Sequence, residues 1–277
     1  EKDLPFVLEE TGYAAPPPVT NGKHVVAVFA TGELVCVNID GKRIWIKQLD
    51  IPENHYGHAS SLVACEDLVI VQYDKKRDSK LLAFNIASGK AAWEVKRDAI
   101  SWSSPILVDN NGRAEVILTS CKAVDSYDPK SGKRLWRVEC LDGEVAPSAA
   151  HADGIVFVAS EGATAAAIDI RKHGEEPEIL WQWDEALPDA ASPVATKDYL
   201  IVPTAFGVVT CLNAETGEAH WEHEFDKGFN SSPIVVGDRV YITDMSGTTQ
   251  IFKLGKKFEK IGTAAVSEAV YATPAFA

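Results

Sequence analysis

Two histidines three positions apart on a turn-like run, His55 and His58 in Asn54-His-Tyr-Gly-His58, could ligate a metal ion together if carboxylates joined them from elsewhere in the fold. Nothing near them in sequence supplies a third ligand, so no metal site is expected. The other five histidines, His24, His151, His173, His220 and His223, fall at turns or on a strand edge and read as solvated polar residues. The five cysteines, Cys36, Cys65, Cys121, Cys140 and Cys211, are odd in number and match no C-x-x-C ligand spacing. Four of them lie in strand-like runs and read as small core hydrophobes, while Cys140 ends a strand and reads as more exposed. Pairing among them stays open, and with it the redox compartment. The adjacent carboxylates Glu175-Glu176 and Asp184-Glu185 point apart on a strand or loop and read as solvated charge. No glycine-rich phosphate loop opens a helix, no G-x-S-x-G elbow occurs, and no Ser/His/Asp order follows from spacing. No catalytic residue is therefore assigned.

What would position any such group is a repeated phrase, a polar turn followed by Gly and then by Trp four residues on. It occurs as Asn85-Ile-Ala-Ser-Gly89-Lys-Ala-Ala-Trp93, Asp128-Pro-Lys-Ser-Gly132-Lys-Arg-Leu-Trp136 and Asn213-Ala-Glu-Thr-Gly217-Glu-Ala-His-Trp221. Asn38-Ile-Asp-Gly41-Lys-Arg-Ile-Trp45 is one residue shorter, and the copy from Asp169 to Trp181 carries a charged insertion. Each Trp is followed by an apolar strand opening near Pro18, Leu62, Pro105, Ser148, Pro193, Pro233 and Pro274, at spacings of 40 to 45 residues. A period of that length marks units that bury their apolar faces against their neighbours.

One unit shows the internal pattern. Ser192–Ala195 is a first strand, Tyr199–Pro203 a second, Val208–Asn213 a third and His220–Phe225 a fourth. Continuous apolar runs in the first two predict burial on both faces, and alternation in the fourth predicts half-burial. Four strands joined by Asx and Gly turns make a propeller blade. The predicted fold is an all-β β-propeller of four-stranded antiparallel blades, a single domain over residues 1–277. Six blades are complete, and parts of a seventh lie in Tyr271–Ala277 and Leu4–Glu10. The chain opens on Glu1 with neither an initiator Met nor a leader. Together with the incomplete seventh unit, this points to a piece of a longer protein of seven or eight blades.

Composition agrees. At 277 residues and 46% hydrophobic content the chain can bury a large core without dividing into domains. No run of about eighteen apolar residues exists, so no membrane-spanning helix is expected. A net charge of −13 disfavours nucleic-acid phosphates and anionic membranes as partners.

The repeated phrase resembles the tryptophan-docking motif of the quinoprotein family, the PQQ-like β-propeller repeat. The motif's small residue corresponds to Ala83, Ser126, Ala167, Cys211 and Cys36 here. The chain also resembles, less closely, the propeller lipoprotein of the outer-membrane β-barrel assembly machinery. The resemblance implies that Trp45, Trp93, Trp136, Trp181 and Trp221 each lie between their own small residue and the Gly peptide of an adjacent copy, a structural role. It also implies a bacterial, periplasmic or otherwise extracytoplasmic protein. It does not carry quinone chemistry with it. The dehydrogenases of that family use an Asp base, a calcium site and often a pair of adjacent cysteines, and no residues here match them. Pyrroloquinoline quinone and calcium are accordingly not expected as cofactors.

In a propeller, the loops that join a fourth strand to the next first strand gather at one mouth of the channel. Residues just ahead of the openings, His58, Trp102, Glu144, Asp189, Asn230 and Tyr271, form the candidate ligand or partner face. The leading functional expectation is a non-catalytic scaffold that recognises a protein or peptide there. A propeller binding a small ligand such as a glycan, and a PQQ-dependent dehydrogenase-like enzyme, are the alternatives.

Overall fold

The computed structural model describes residues 4–8, 11–53, 56–98 and 100–276. Among these residues there is no helix, and the chain forms 24 strands in six four-stranded antiparallel sheets, the blades of a β-propeller. Blade 1 holds β1 (Val19–Thr20), β2 (His24–Val28), β3 (Glu33–Asn38) and β4 (Arg43–Gln48). Blade 2 holds β5 (Val63–Cys65), β6 (Leu68–Tyr73), β7 (Lys80–Asn85) and β8 (Ala91–Lys96). Blade 3 holds β9 (Ile106–Asn110), β10 (Arg113–Thr119), β11 (Ala123–Tyr127) and β12 (Arg134–Glu139). Blade 4 holds β13 (Ala150–Ala152), β14 (Ile155–Ala159), β15 (Ala165–Asp169) and β16 (Glu178–Trp183). Blade 5 holds β17 (Val194–Ala195), β18 (Tyr199–Pro203), β19 (Val208–Asn213) and β20 (Ala219–Glu224). Blade 6 holds β21 (Ile234–Val236), β22 (Arg239–Thr243), β23 (Thr248–Lys253) and β24 (Lys260–Ala265). The chain divides into two compact units, Glu1–Arg137 and Val138–Ala277, with the boundary inside β12.

Local chemistry explains the meander. The first hairpin of blade 4 turns on Asp153 and Gly154, at φ of 50° and 74°, the paired positive values that a type I′ turn requires. The second strands form the core: β14 is buried throughout, as is β18 after Tyr199. Four of the innermost strands differ from the expected two-sided burial, whereas β5 is largely buried. β1 and β17 are two residues long, and β13 and β21 three, all half-buried or partly exposed, because Pro and Ser/Thr at the openings spend their polar groups outside the ladder.

Those opening hydroxyls link one blade to the next. The backbone N–H of Ser61 donates to Ser104 Oγ at 2.9 Å, Ser148 to Ser192 Oγ at 2.9 Å, Ser192 to Ser232 Oγ at 2.9 Å, and Ser232 to Thr273 Oγ1 at 3.0 Å. Ser148 thus takes the place of Ser192, one residue ahead of an opening. The fourth blade therefore opens at Ala149 rather than Ser148.

The fourth strands are not the plain alternating strands that the sequence suggests. In blades 1, 2, 4, 5 and 6 the register slips at one equivalent point, so that Ile44, Ala92, Leu180, His220 and Ile261 are extra residues. Each bulge immediately precedes the Trp position, where it bends the strand and re-aims the next side chain. Across the strand, Trp45 then faces Cys36, Trp93 faces Ala83, Trp181 faces Ala167 and Trp221 faces Cys211.

Four of the indoles reach into the following blade. The N–H of Trp45 donates to Ile86 O at 2.7 Å, that of Trp93 to Pro129 O at 3.1 Å, that of Trp181 to Ala214 O at 2.9 Å, and that of Trp221 to Gly255 O at 2.8 Å. The rings of Trp45, Trp93 and Trp181 lie flush on Gly89, Gly132 and Gly217. A methyl group on those glycines would stand 2.8, 2.7 and 2.6 Å from an indole carbon. Trp136 departs from this arrangement: its N–H donates at 2.8 Å to the carboxylate of Glu115, buried on β10 of its own blade, a charge-assisted acceptor that also takes the Ser126 hydroxyl.

Among the described residues, the segments read as parts of a seventh blade form no strand. Residues 4–8 are irregular, and the Leu8 carbonyl accepts from Thr11 and Gly12 in a turn, both at 3.1 Å. Residues 271–276 are irregular too, although Thr273 holds the opening position and Phe276 packs on Tyr241 with ring centroids 4.7 Å apart. A strand of two or three residues needs a second strand beside it to form a ladder. Glu9, Glu10 and Ala277 lie outside the described residues.

Candidate functional site

A cluster of buried polar groups in the first unit lies where β6 and β8 end. β6 runs as Leu68-Val-Ile-Val71 and then places Gln72, Tyr73 and Asp74 at its last turn, and Arg97 follows β8 directly. Asp74 and Arg97 form an ion pair whose side chains are each 2% exposed. Arg97 Nε donates to Asp74 Oδ1 at 2.9 Å, and Nη2 to Oδ2 at 3.1 Å and to the Thr119 carbonyl at 3.1 Å. The Ser101 backbone N–H and Gln72 Nε2 also donate to Asp74 Oδ2, at 3.1 and 3.0 Å. Burial pushes the Asp74 carboxyl above its ordinary value, and the Arg97 charge opposes that shift. All four hydrogen bonds to it come from donors, from Arg97, Ser101 and Gln72, which favours its ionised form.

This pair fixes the loop after β8. Gln72 Nε2 donates to Ser101 Oγ at 2.8 Å, Ser101 Oγ lies 3.0 Å from Ser103 Oγ, and Thr119 Oγ1 donates to Ser103 Oγ at 2.6 Å. From the loop after β4, Ser60 Oγ donates to the Ser103 carbonyl at 2.6 Å. The two loops enclose a small cavity with room for about one water-sized group, lined by Gly57, His58, Ser60, Gln72, Asp74, Ser101 and Trp102 among others. His58, 4% exposed, packs at a tilt against Tyr73 with ring centroids 5.6 Å apart, and its Nε2 lies 3.1 Å from the Asp50 carbonyl, which places the proton on that nitrogen. Burial lowers its pKa, so the imidazole is neutral at pH 7. Tyr56, 37% exposed, packs edge-to-face with Trp102, the ring centroids 6.1 Å apart.

Of the six residues predicted for the partner face, the structure brings His58 and Trp102 together in this cavity. Glu144 and Asp189 are exposed, Asn230 is half-buried and Tyr271 is exposed; none of them lines it. The backbone carbonyl of Glu144 accepts from Ser160 Oγ at 3.1 Å. His55 lies outside the described residues. His220 and His223 are less solvated than their sequence setting suggests. His223 stacks on Phe258 at 3.7 Å, and His220 meets the edge of Tyr199 at 5.6 Å. All five cysteines are free thiols. Burial alone raises Cys140 to about 11 and Cys211 to about 12. Among the described residues no three His, Cys, Asp or Glu side chains group as metal ligands, and the Asp74 carboxylate beside the cavity is already occupied by donors.

The family sequence model described as "Outer membrane protein assembly factor BamB" matches residues 7–118, 121–176 and 173–256. The chain belongs to this PQQ-like repeat family. BamB of Yersinia pestis is 25% identical over 255 residues, covering 87% of this chain and 62% of the relative. BamB of Shewanella oneidensis is 24% identical over 252 residues, covering 86% and 60%. The chain thus spans less than two thirds of the length of these curated relatives. BamB from Moraxella catarrhalis has the same fold, with a TM-score of 0.76 at 17% identity over 96% of this chain and 80% of the other. A quinohemoprotein alcohol dehydrogenase from Pseudomonas putida HK5 superposes with a TM-score of 0.72 at 10% identity, over 92% of this chain and 59% of the other. At such identities these structures speak to the fold alone. Within the PQQ-like repeat family, the buried Gln72–Asp74–Arg97 cluster is the feature of this chain that motif reading missed. Its signal in the sequence is the entry of Gln72 and Asp74 at the end of the apolar run Leu68-Val-Ile-Val71.

Proposed function

We propose that this chain is a protein-interaction scaffold of outer-membrane protein assembly, acting outside the cytoplasm, and that it engages its partner through the loops after β4 and β8. The observation that carries the reading is the edge-to-face pair of Tyr56 and Trp102, partly exposed, with Trp102 lining the same cavity as Asp74 of the buried ion pair. Aromatic anchors held rigid by a buried network are the groups that dominate binding energy at protein interfaces, because little side-chain freedom is lost on association. Membership of a family named for an outer-membrane assembly factor supports the partner class. The same membership supports an extracytoplasmic location. The test measures the affinity of the purified chain for proteins of the outer-membrane assembly machinery. Replacing Tyr56 and Trp102 with Ala is expected to weaken binding about tenfold or more while leaving the fold intact. Unchanged affinity in the double variant would refute this use of the loops.

A further inference from the structure

We propose that the loop between β6 and β7 is a basic docking element for an acidic segment of a polypeptide partner, with Lys75, Lys76 and Arg77 taking its carboxylates. The inference rests on the partner-binding reading and names the charge that the partner must bring to this surface.

Three adjacent cations occupy this loop, Lys75 half-buried and Lys76 and Arg77 exposed, and among the described residues none of them pairs with a carboxylate. Other cations of the same unit do: Lys80 meets Glu94 at 2.8 Å, Arg97 meets Asp74 at 2.9 Å, Lys130 meets Glu66 at 2.7 Å and Arg137 meets Asp98 at 3.2 Å. In a chain of net charge −13 these three form a local reversal of sign. The loop is also long, with six residues between β6 and β7 against three to five between the second and third strands of the other blades. Its base is fixed. Ser79, 3% exposed, accepts from the Lys75 backbone N–H at 3.0 Å and donates to the Lys75 carbonyl at 2.7 Å. Asp78 turns the chain at φ of 59°, and Lys75 Nζ lies 5.4 Å from the centre of the Tyr73 ring. Both ends are tied to the segment after β8, since the Arg97 backbone N–H donates to the Ser79 carbonyl at 2.7 Å and that of Ser101 to the Asp74 carboxylate at 3.1 Å. The same segment carries Trp102, so the cations are presented beside the Tyr56–Trp102 pair on a base that is ordered before a partner arrives.

Charge selects the ligand, and the width of the patch selects its class. Two ammonium heads and a guanidinium call for carboxylates, and the planar fork of Arg77 takes one of them through parallel bonds. Acids flank the loop: Asp50 and Glu53 follow β4, Asp78 lies in the loop itself and Asp98 follows Arg97, so the basic patch is no wider than its own loop. An anionic bilayer or a nucleic acid presents phosphates over a wider area and would set them against these acids and the rest of an acidic chain. A short acidic stretch of polypeptide meets the cations alone, and its neighbouring apolar residues find the aromatic pair.

The test titrates the isolated protein, at about 0.01 M salt, with a capped peptide of glutamates flanking one phenylalanine, read on the backbone ¹H–¹⁵N resonances of residues 75–79. The glutamine counterpart of that peptide, phosphatidylglycerol vesicles and oligothymidylate are the comparison probes. Saturable shifts with the acidic peptide alone are expected, weakened about tenfold by Lys76→Gln combined with Arg77→Gln, and weakened also at about 0.15 M salt. Lys23→Gln combined with Lys42→Gln makes the same change in net charge on exposed residues of blade 1 and is expected to leave the titration unaltered. A flat titration, an equal response to the glutamine peptide, equal weakening by the two double variants, or tighter binding of vesicles or oligothymidylate through residues 75–77 would each overturn the proposal. If the loop variant misfolds, the native protein still decides, because an affinity for the acidic peptide that is indifferent to salt overturns the proposal equally. The probes are read on the protein alone. A flat titration therefore overturns the docking element even where capture through Tyr56 and Trp102 persists, and a saturable one upholds it even where that capture fails.

Discussion

Replacing Gly217 with Ala separates the two demands that the docking of Trp181 makes on its neighbour. Gly217 sits at φ +74°, a conformation that costs an L residue about 1–2 kcal/mol. A methyl there would also stand 2.6, 2.8 and 2.9 Å from three carbons of the Trp181 indole, an overpacking that costs about 1–3 kcal/mol more. Gly237, in the same unit at φ +63°, has nothing within 4 Å of its Cβ position and so carries only the backbone cost. Gly217→Ala is therefore expected to destabilise by about 2–5 kcal/mol and Gly237→Ala by about 1–2 kcal/mol. Trp181→Ala removes a half-buried ring and its bond to the Ala214 carbonyl, at a cost of about 3–5 kcal/mol, and Gly217→Ala added to it should then cost no more than Gly237→Ala. The assay is a urea titration of the four variants, with the coupling taken from the double-mutant cycle. Equal destabilisation by the two Gly replacements, or an unchanged cost of Gly217→Ala once the indole is gone, would refute docking as the source of the constraint.

Breaking the buried ion pair by Asp74→Asn or Arg97→Met should cost about 3–5 kcal/mol each, and the double variant much less than their sum, because each single change strands a desolvated charge or its partners; additive costs in denaturant titration would contradict the coupling. His58 has a folded pKa below 6.5, so its contribution to stability is complete above 6.5 and is lost as pH falls through the folded value. The difference in unfolding midpoint between the native chain and His58→Gln should shrink from neutral pH to about pH 5, and a constant difference would rule out this linkage. Cys140, half-buried, and Cys211, buried, with thiols raised to about 11 and 12, should resist alkylation at about pH 8 until the protein unfolds, and rapid labelling of either in the native state, read by mass spectrometry, would contradict those raised values.

The blade plan was legible because its devices are local. The Gly–Trp phrase, the Asx turns and the apolar second strands name themselves in sequence, and Tyr199–Pro203 and Val208–Asn213 fall where the pattern puts them. The bulges before Trp45, Trp93, Trp181 and Trp221 were not legible. The extra residue is varied in type, from Ile44 to Ala92 to His220, and is defined only by the register of the facing strand. The lone departure of Trp136 depends on Glu115, twenty-one residues away, entering the interior of β10. The candidate site was half legible. His58 and Trp102 stand out by their place before an opening, but their convergence with Gln72, Asp74 and Arg97 requires the ends of β6 and β8 to meet, which spacing alone does not state.

Hydrogen exchange of the purified chain, alone and bound to a protein of the outer-membrane assembly machinery, tests the account most directly. Slowed exchange confined to residues 49–62 and 97–105, with the outer strands β16 and β20 unaffected, is the result it predicts. A stable complex that leaves both loops exchanging at their free rates would contradict it.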